Sequence, residues 1–503
     1  MRVAFLHPDL GLGGAERLIV DAAAGLSLRG HDVKIFTSHY ERERSFAETR
    51  AGMFGVVVRG DWLPRAVFGR LHILFAILRM VWLALCVAAG GERFDVLVVD
   101  QVSAAVPLLR LLTRSRILFY LHYPDLLLAP RGSVLRALYR LPFDTLEQAS
   151  TGLSHGVLVN SHFTAGAFRD TFRVLAAGGV EPAVLYPCVE TGTAARAATP
   201  GRGRAKTADA ARALPPPQVK PRRILLSINR FERKKDIGVL IRAFAEAKPS
   251  ADWHLVIAGG YDPRLNENVE HFDELVALAK REGLVADALG LVGDASDFAA
   301  VLPAWPRDDA SSAVQPFPRV LTSRNVTFIR SFSDSQKGAL LSAASAVAYT
   351  PRGEHFGIVP LECMAAARPV LASASGGPLE SIIDGVTGIL CDGSDGWRDA
   401  VRALTSQSDA ARSRMGSAGA AHVAAKFSRT AFAASLETHC EALVRDAGRG
   451  GRGKAAWLPP VLWLILICIA FSAVVVLGAP LFLLVKAIST RGQPLLTGAV
   501  KTE

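Results

Sequence analysis

The stretch "HPDLGLGGAERLIVDAA" (7–23) decides how the chain is read. It follows a short apolar run at 3–6 that reads as a strand. It then passes through a turn containing Gly11, Gly13 and Gly14 and enters a helix (14 to about 28) whose first turn carries Glu16 and Arg17. Strand, glycine turn and helix in that order place backbone N–H groups and the positive end of a helix dipole where an anion can dock. A dinucleotide fingerprint needs G-x-G-x-x-G, its last glycine letting helix and strand pack closely. Gly11 and Gly13 fit the first two positions, but Glu16 stands at the third. The turn alone therefore fits either a structural role or an anion site, and argues against NAD(P).

Working outward, the alternation continues. "HDVKIFTS" (31–38), "VLVVD" (96–100), "RILFYLH" (116–122) and "GVLVNS" (156–161) are short, continuous runs rich in β-branched residues, as expected of strands buried on both faces. A second series begins with "RILLSINR" (223–230), followed by a helix at 236–247 and strands at 253–260, 325–332, 346–351 and 369–373. The fold class read from this is α/β: two Rossmann-like, doubly wound domains, at 1–190 and 223–440, facing each other across a cleft. Between them, 191–222 is rich in Ala, Gly, Pro and basic residues without apolar periodicity and reads as a flexible linker or insertion. A second irregular stretch at 294–322 reads as a loop insertion in the second domain.

The chain has 503 residues and a net charge of +11, which favours anionic partners such as phosphates or acidic lipid headgroups. It carries no recognition helix, zinc-ligand spacing or aromatic ribonucleoprotein motif, so nucleic acid is not expected as a partner. The six cysteines (86, 188, 363, 391, 440, 468) are scattered and contain no C-x-x-C, which suits a reducing compartment. No secretory signal precedes His7, so the N-terminal body is expected to fold in the cytosol.

Two apolar segments bear on membranes. Residues 455–485 are uncharged and exceed the roughly 20 residues that cross a bilayer, so they read as a C-terminal transmembrane or membrane-anchoring segment, spanning or re-entering. Arg445, Arg449, Arg452 and Lys454 precede it, against Lys486 and Arg491 after it, which puts the preceding body on the cytosolic side. The segment 66–89 is apolar but interrupted by Arg70, His72 and Arg79. It fits a helix at the membrane interface, one docking a lipid-linked substrate, or an ordinary core helix equally well.

Two stretches carry stronger chemistry than the opening turn. "NRFERKKD" (229–236) links a strand to a helix, and Arg230 and Lys235 there could hold a diphosphate, Arg as a fork and Lys as a point charge. "PRGEHFGIVPLECMAAARPVLASASGGPLESI" (351–382) places Glu354 and Glu362 around a small-residue turn. The N–H groups of Gly357, Ile358 and Val359 can point at a phosphate from a helix N-terminus. Glu362, one turn in, could accept hydrogen bonds from a ribose diol, and Glu354 could reach sugar hydroxyls. No D-x-D triplet occurs, so no metal is expected at the diphosphate and no cofactor is called for.

"EHFGIVPLE", the Arg230/Lys235 pair and the N-terminal Gly-Gly turn resemble the retaining nucleotide-sugar glycosyltransferases of family 4, which have the GT-B fold. Together with "LHYPDLLL" (121–128), these phrases are similar to the dolichol-pathway α-1,3/1,6-mannosyltransferases within that family. The resemblance covers most of 1–190 and 222–440, while the insertions at 191–222 and 294–322 depart from the family's compact pattern. It implies GDP-mannose as donor, a substrate rather than a cofactor. It also implies a dolichol-diphosphate-linked oligosaccharide as acceptor, bound by the N-terminal domain, and a place in lipid-linked oligosaccharide assembly for N-glycosylation at the endoplasmic reticulum membrane. Other mannosyltransferases of the same pathway are implied partners. By the same resemblance Arg230 and Lys235 hold the donor diphosphate, Glu362 the ribose and Glu354 the hexose. Gly13 and Gly14 then wall the N-terminal domain against donor and acceptor, and His122 is the cleft histidine. The expected catalytic set is Glu354, His122, Arg230 and Lys235, with reaction on one face of the sugar. Two alternatives stay open: a related membrane enzyme such as the GlcNAc transferase of GPI-anchor synthesis, and a catalytically silent GT-B subunit.

Overall fold

The computed structural model describes residues 1–67, 71–129, 134–190, 223–289 and 326–446, and a few helical positions between 460 and 467. The insertions at 191–222 and 294–322, and nearly all of the 455–485 segment, lie outside the described residues. The chain forms two compact units. The first comprises Met1–Val159, Ala165–Ala183 and the chain from Leu436; the second comprises Asn160–Thr164 and Val184–Ser435.

The first unit is built on a seven-stranded sheet in the order β3-β2-β1-β4-β5-β6-β7. Its strands are β1 (Arg2–His7), β2 (Asp32–Thr37), β3 (Gly55–Val58), β4 (Val96–Asp100), β5 (Arg116–Leu121), β6 (Gly156–Val159) and β7 (Ala183–Val184). The pairings from β3 to β6 are parallel. All five residues of β4 are buried, as are all but the first of β1. This is why those strands are continuous apolar runs instead of alternating ones. Strand order reverses between β1 and β4, and in open α/β sheets that switch point opens a crevice at the C-terminal strand ends.

The helix His72–Ala89 is, among the described residues, the one with the length and apolarity of a membrane span. In the fold it buries Leu74, Ile77, Met80, Leu83 and Val87 against β1 and the helix Val106–Leu112, leaving Trp82 and Leu85 exposed. Its Arg79, which made the segment a poor span on paper, is buried and donates to Asp9 at 2.9 Å. The packing is that of a sheet-covering helix. The chain re-enters this unit through the second half of the helix Arg429–Arg445, where Cys440 is buried and Glu437 accepts from Arg29 and His31, each at 2.7 Å.

The second unit repeats the plan, with the order β10-β11-β9-β8-β12-β13-β14 and parallel pairing throughout. Its strands are β8 (Arg223–Ile228), β9 (Trp253–Gly259), β10 (Ala286–Leu289), β11 (Val326–Arg330), β12 (Ala346–Tyr349), β13 (Val370–Ser373) and β14 (Gly388–Cys391). Here the switch point lies between β8 and β12. The helix Ile237–Ala247 after β8 buries Ile237, Leu240, Ile241 and Phe244, each contributing about 1.5–3 kcal/mol. That anchorage fixes the basic turn immediately before it. The five described cysteines, 86, 188, 363, 391 and 440, are free thiols.

Candidate active site

In the second unit the candidate side chains lie near the switch point. β8 ends at Ile228 and a one-turn helix, Arg233–Lys235, brings Lys235 back toward the loop after β12. Asp236 takes a left-handed conformation (φ 48°) to start the next helix. The Lys235 ammonium donates to Glu354 Oε1, and the two side chains are only 13% and 28% exposed. Thr350, fully buried, donates to the Lys235 carbonyl at 2.6 Å, and its own carbonyl accepts from Ser373 at 2.6 Å. The basic turn is thus fastened to the loop that carries Glu354. Arg230 is different: it is 63% exposed, its stem lies beside Gly260, and it pairs with Glu232 at 2.9 Å.

The loop 350–357 is shaped by glycines. A Cβ on Gly376 would lie 2.3 Å from the Glu354 carbonyl, and one on Gly377 would lie 1.9 Å from that of Phe356. Only glycine lets this segment press on the turn, and there the Gly377 N–H donates to the Glu354 carbonyl at 2.9 Å. The phrase "SASGGPLE" (373–380) therefore supports Glu354 from behind. Gly357 (φ 79°) turns the chain into the helix Ile358–Ala365. The N–H groups of Ile358 and Val359 open that helix without intrahelical partners, and Pro360 has none to satisfy. Glu362, one turn on, takes both oxygens to the Lys337 ammonium at 2.7 Å each.

In the first unit Gly13 precedes the helix Gly14–Leu28, and the Glu16 carboxylate folds back beside it. Gly14 has open space where a Cβ would stand. Arg17 is committed to Asp21, at 2.9 Å, and to Glu48, at 2.7 Å. His122, just past β5, donates from Nε2 to Asp100 Oδ1 at 2.8 Å, and Asp100 Oδ2 accepts from His7 Nδ1 at 2.7 Å. Burial opposes charge on Asp100, but the two imidazoles outweigh it and hold the carboxyl at about 2. Burial likewise opposes charge on His122, and Asp100, with help from Glu16, carries it above the ordinary histidine value.

The structure thus joins Lys235 to Glu354 and leaves Arg230 at the surface with Glu232. It places Gly357, Ile358, Val359 and Glu362 on one helix start. Sequence reasoning did not find His7, Asp100, Thr350 or Lys337. For Asp100 a signal existed: it closes the apolar run "VLVVD" at a C-terminal strand end, where such sheets bind ligands.

Comparison with known proteins bears on the family and the fold. The profile "Glycosyltransferase Family 4" matches residues 12–231, and "Glycosyl transferases group 1" matches residues 319–422. The chain is 40% identical over 482 residues to the α-1,3/1,6-mannosyltransferase ALG2 of Rhizomucor pusillus, covering 94% of this chain and 98% of that one. It is 42% identical over 445 residues to the human enzyme of the same name, covering 86% and 94%. Among solved structures it is similar to sucrose-phosphate synthase from Thermosynechococcus elongatus (TM-score 0.58, 17% identity, covering 88% and 98%). It is also similar to Anabaena HepE in complex with UDP and glucose (TM-score 0.53, 16% identity, covering 88% and 100%). At such identities these two speak for the fold, which is the paired Rossmann-like GT-B architecture. The chain belongs to glycosyltransferase family 4, among its α-1,3/1,6-mannosyltransferases.

Proposed function

We propose that this chain moves mannose from GDP-mannose to a dolichol-diphosphate-linked oligosaccharide bearing one mannose, forming an α-1,3 and then an α-1,6 linkage. It would do so on the cytosolic face of the endoplasmic reticulum membrane. The observation that carries the reading is near-full-length similarity to enzymes named for those two linkages. The apolar segment 455–485 and its basic flank support the membrane site.

Departure of GDP loads the diphosphate with negative charge, and preorganised donors lower the barrier. Lys235, Arg230 and the N–H groups of Ile358 and Val359 are the donors available for it in this reading. Glu354, held from behind by Gly377, would accept from the hexose hydroxyls, and Glu362, oriented by Lys337, would accept from the ribose. Gly13 and Gly14 would let donor and acceptor approach the first unit's turn, and His122 would face the sugar. Side chains in place of a metal meet the diphosphate charge, so excess EDTA should leave the rate unchanged; abolition of transfer and its rescue by one divalent ion would refute that part.

The test is to incubate the full-length chain in membranes with GDP-mannose and a synthetic lipid-linked mannosyl chitobiose, then read product mass and linkage. Addition of two hexoses with α-1,3 and α-1,6 bonds is expected. Transfer only from UDP-GlcNAc to a phosphoinositide would instead assign the chain to GPI-anchor synthesis, and no transfer from any donor would favour a silent subunit.

A further inference from the structure

At the C-terminal ends of β1, β4 and β5, three adjacent strands, His7, Asp100 and His122 form one hydrogen-bonded chain. It runs from the interior outward: the His7 and Asp100 side chains are 1% and 0% exposed, and that of His122 is 26% exposed. It also straddles the point where strand order reverses, the place such sheets reserve for ligands.

A buried carboxylate is costly unless both oxygens are satisfied, and here each accepts from one imidazole. His7 sets the direction of the chain. Its Nε2 is buried with no hydrogen-bond partner among the described residues. A proton on that atom would be stranded, so it belongs on Nδ1, donated to Asp100 Oδ2. Asp100 then has Oδ1 to offer, and His122 must present a protonated Nε2 to it. The charged and titratable groups acting on His122 include Asp100 from β4, Glu16 from the helix Gly14–Leu28 and, through Asp100, His7 from β1. The ring of Tyr120, on β5, stands edge-on to that of His122 at 4.9 Å.

We infer that Asp100, backed by His7, is a positioning residue for mannosyl transfer: it locks the His122 imidazole with Nε2 protonated toward the sheet and makes Nδ1 the ring atom that gains and loses a proton. The inference rests on the placement of His122 against the sugar in the reading above. A carboxylate that fixes the tautomer and orientation of a reacting imidazole is a general device. Asp100 also sets the pH at which Nδ1 gives up its proton, because the nearby negative charge favours the imidazolium.

The experiment uses the full-length chain with Asp100→Asn and, as a milder change that keeps an N–H donor to Asp100, His7→Asn. Thermal unfolding and GDP binding verify that each variant folds, and His122→Gln assigns the signals. The readouts are the pH profile of kcat and the 15N shifts of His122 against pH. The wild type should show the Nε2-protonated tautomer and lose its second proton above the usual histidine pH. Asp100→Asn should move both that titration and the matching limb of kcat to lower pH by ~1 pH unit or more. The KM for GDP-mannose should stay unchanged, and His7→Asn, which keeps a donor to Asp100, should move both by less. An Nδ1-protonated tautomer, or a limb that stays put in a folded, active variant, overturns the inference. If the wild type transfers no mannose while the 15N behaviour is as expected, the mannosyl-transfer reading falls and the positioning of His122 by Asp100 stands.

Discussion

Lys235 and Glu354 form an ion pair whose two halves serve different purposes in the proposed reaction. Without a donor, Glu354 neutralises the lysine, so a diphosphate arriving as proposed would compete with the carboxylate for the same ammonium. Replacing Glu354 by Gln keeps the shape and removes the competition. Glu354→Gln should therefore bind GDP as tightly as the wild type or a few-fold more tightly, yet transfer mannose more slowly, because the contact to the hexose is weakened. Lys235→Ala should lower kcat/KM by ~100-fold or more, the usual effect of removing one donor to developing charge. Calorimetry with GDP and steady-state kinetics separate the two; weaker GDP binding by Glu354→Gln would refute the competition. Much of this site was legible in the sequence, because Glu354, Gly357 and Glu362 lie in one phrase whose spacing follows a turn and a helix start. Lys337 and the pair His7 and Asp100 were not. They stand 25 residues from Glu362 and 93 residues apart from each other, and only the strand order brings them together.

At the scale of elements, ten strands were read from the sequence and fourteen are present among the described residues. The four not read are β3, β7, β10 and β14, and these are the outer strands of the two sheets. An edge strand pairs on one side only and keeps part of its surface in water, so it lacks the continuous apolar run that marks an inner strand; none of the four residues of β3 is buried. The turn after β5 shows what holds an element's end. Glu147, from the helix Val134–Gly152, accepts from the N–H groups of Asp125 at 2.7 Å and Leu126 at 3.2 Å, just beyond His122. Burial, which these bonds only partly offset, pushes its carboxyl up to about 7. Between the ordinary carboxyl range and that value the folded chain binds more protons than the unfolded one, so this group's contribution to stability falls as pH rises through the window. Glu147→Gln cannot ionise and should flatten the decline. Denaturant unfolding of the two proteins should differ in its pH 5 to 7.5 change by about 1–3 kcal/mol. An identical pH dependence would mean that Glu147 ionises freely in the fold.

At the scale of the whole molecule, the proposed reading assigns chemistry and membrane attachment to different stretches of chain. The helix ending at Arg445 is built into the first unit through Glu437 and Cys440; the apolar segment begins at 455, and of its few described positions Val461 and Ile465 are buried. A chain cut after Lys454 keeps that helix and every side chain assigned to the donor. In that reading the removed segment serves elsewhere: an enzyme confined to the bilayer meets a lipid-linked acceptor at a raised effective concentration. The truncated chain should therefore transfer mannose to a short-chain, detergent-soluble acceptor at a rate close to that of the full chain. With the acceptor embedded in vesicles it should fall behind. Sedimentation should find it released from membranes, or held only by its basic surface and detached by salt. Equal loss on both acceptors, in a protein whose thermal unfolding is unchanged, would mean that the segment beyond 455 takes part in the reaction itself.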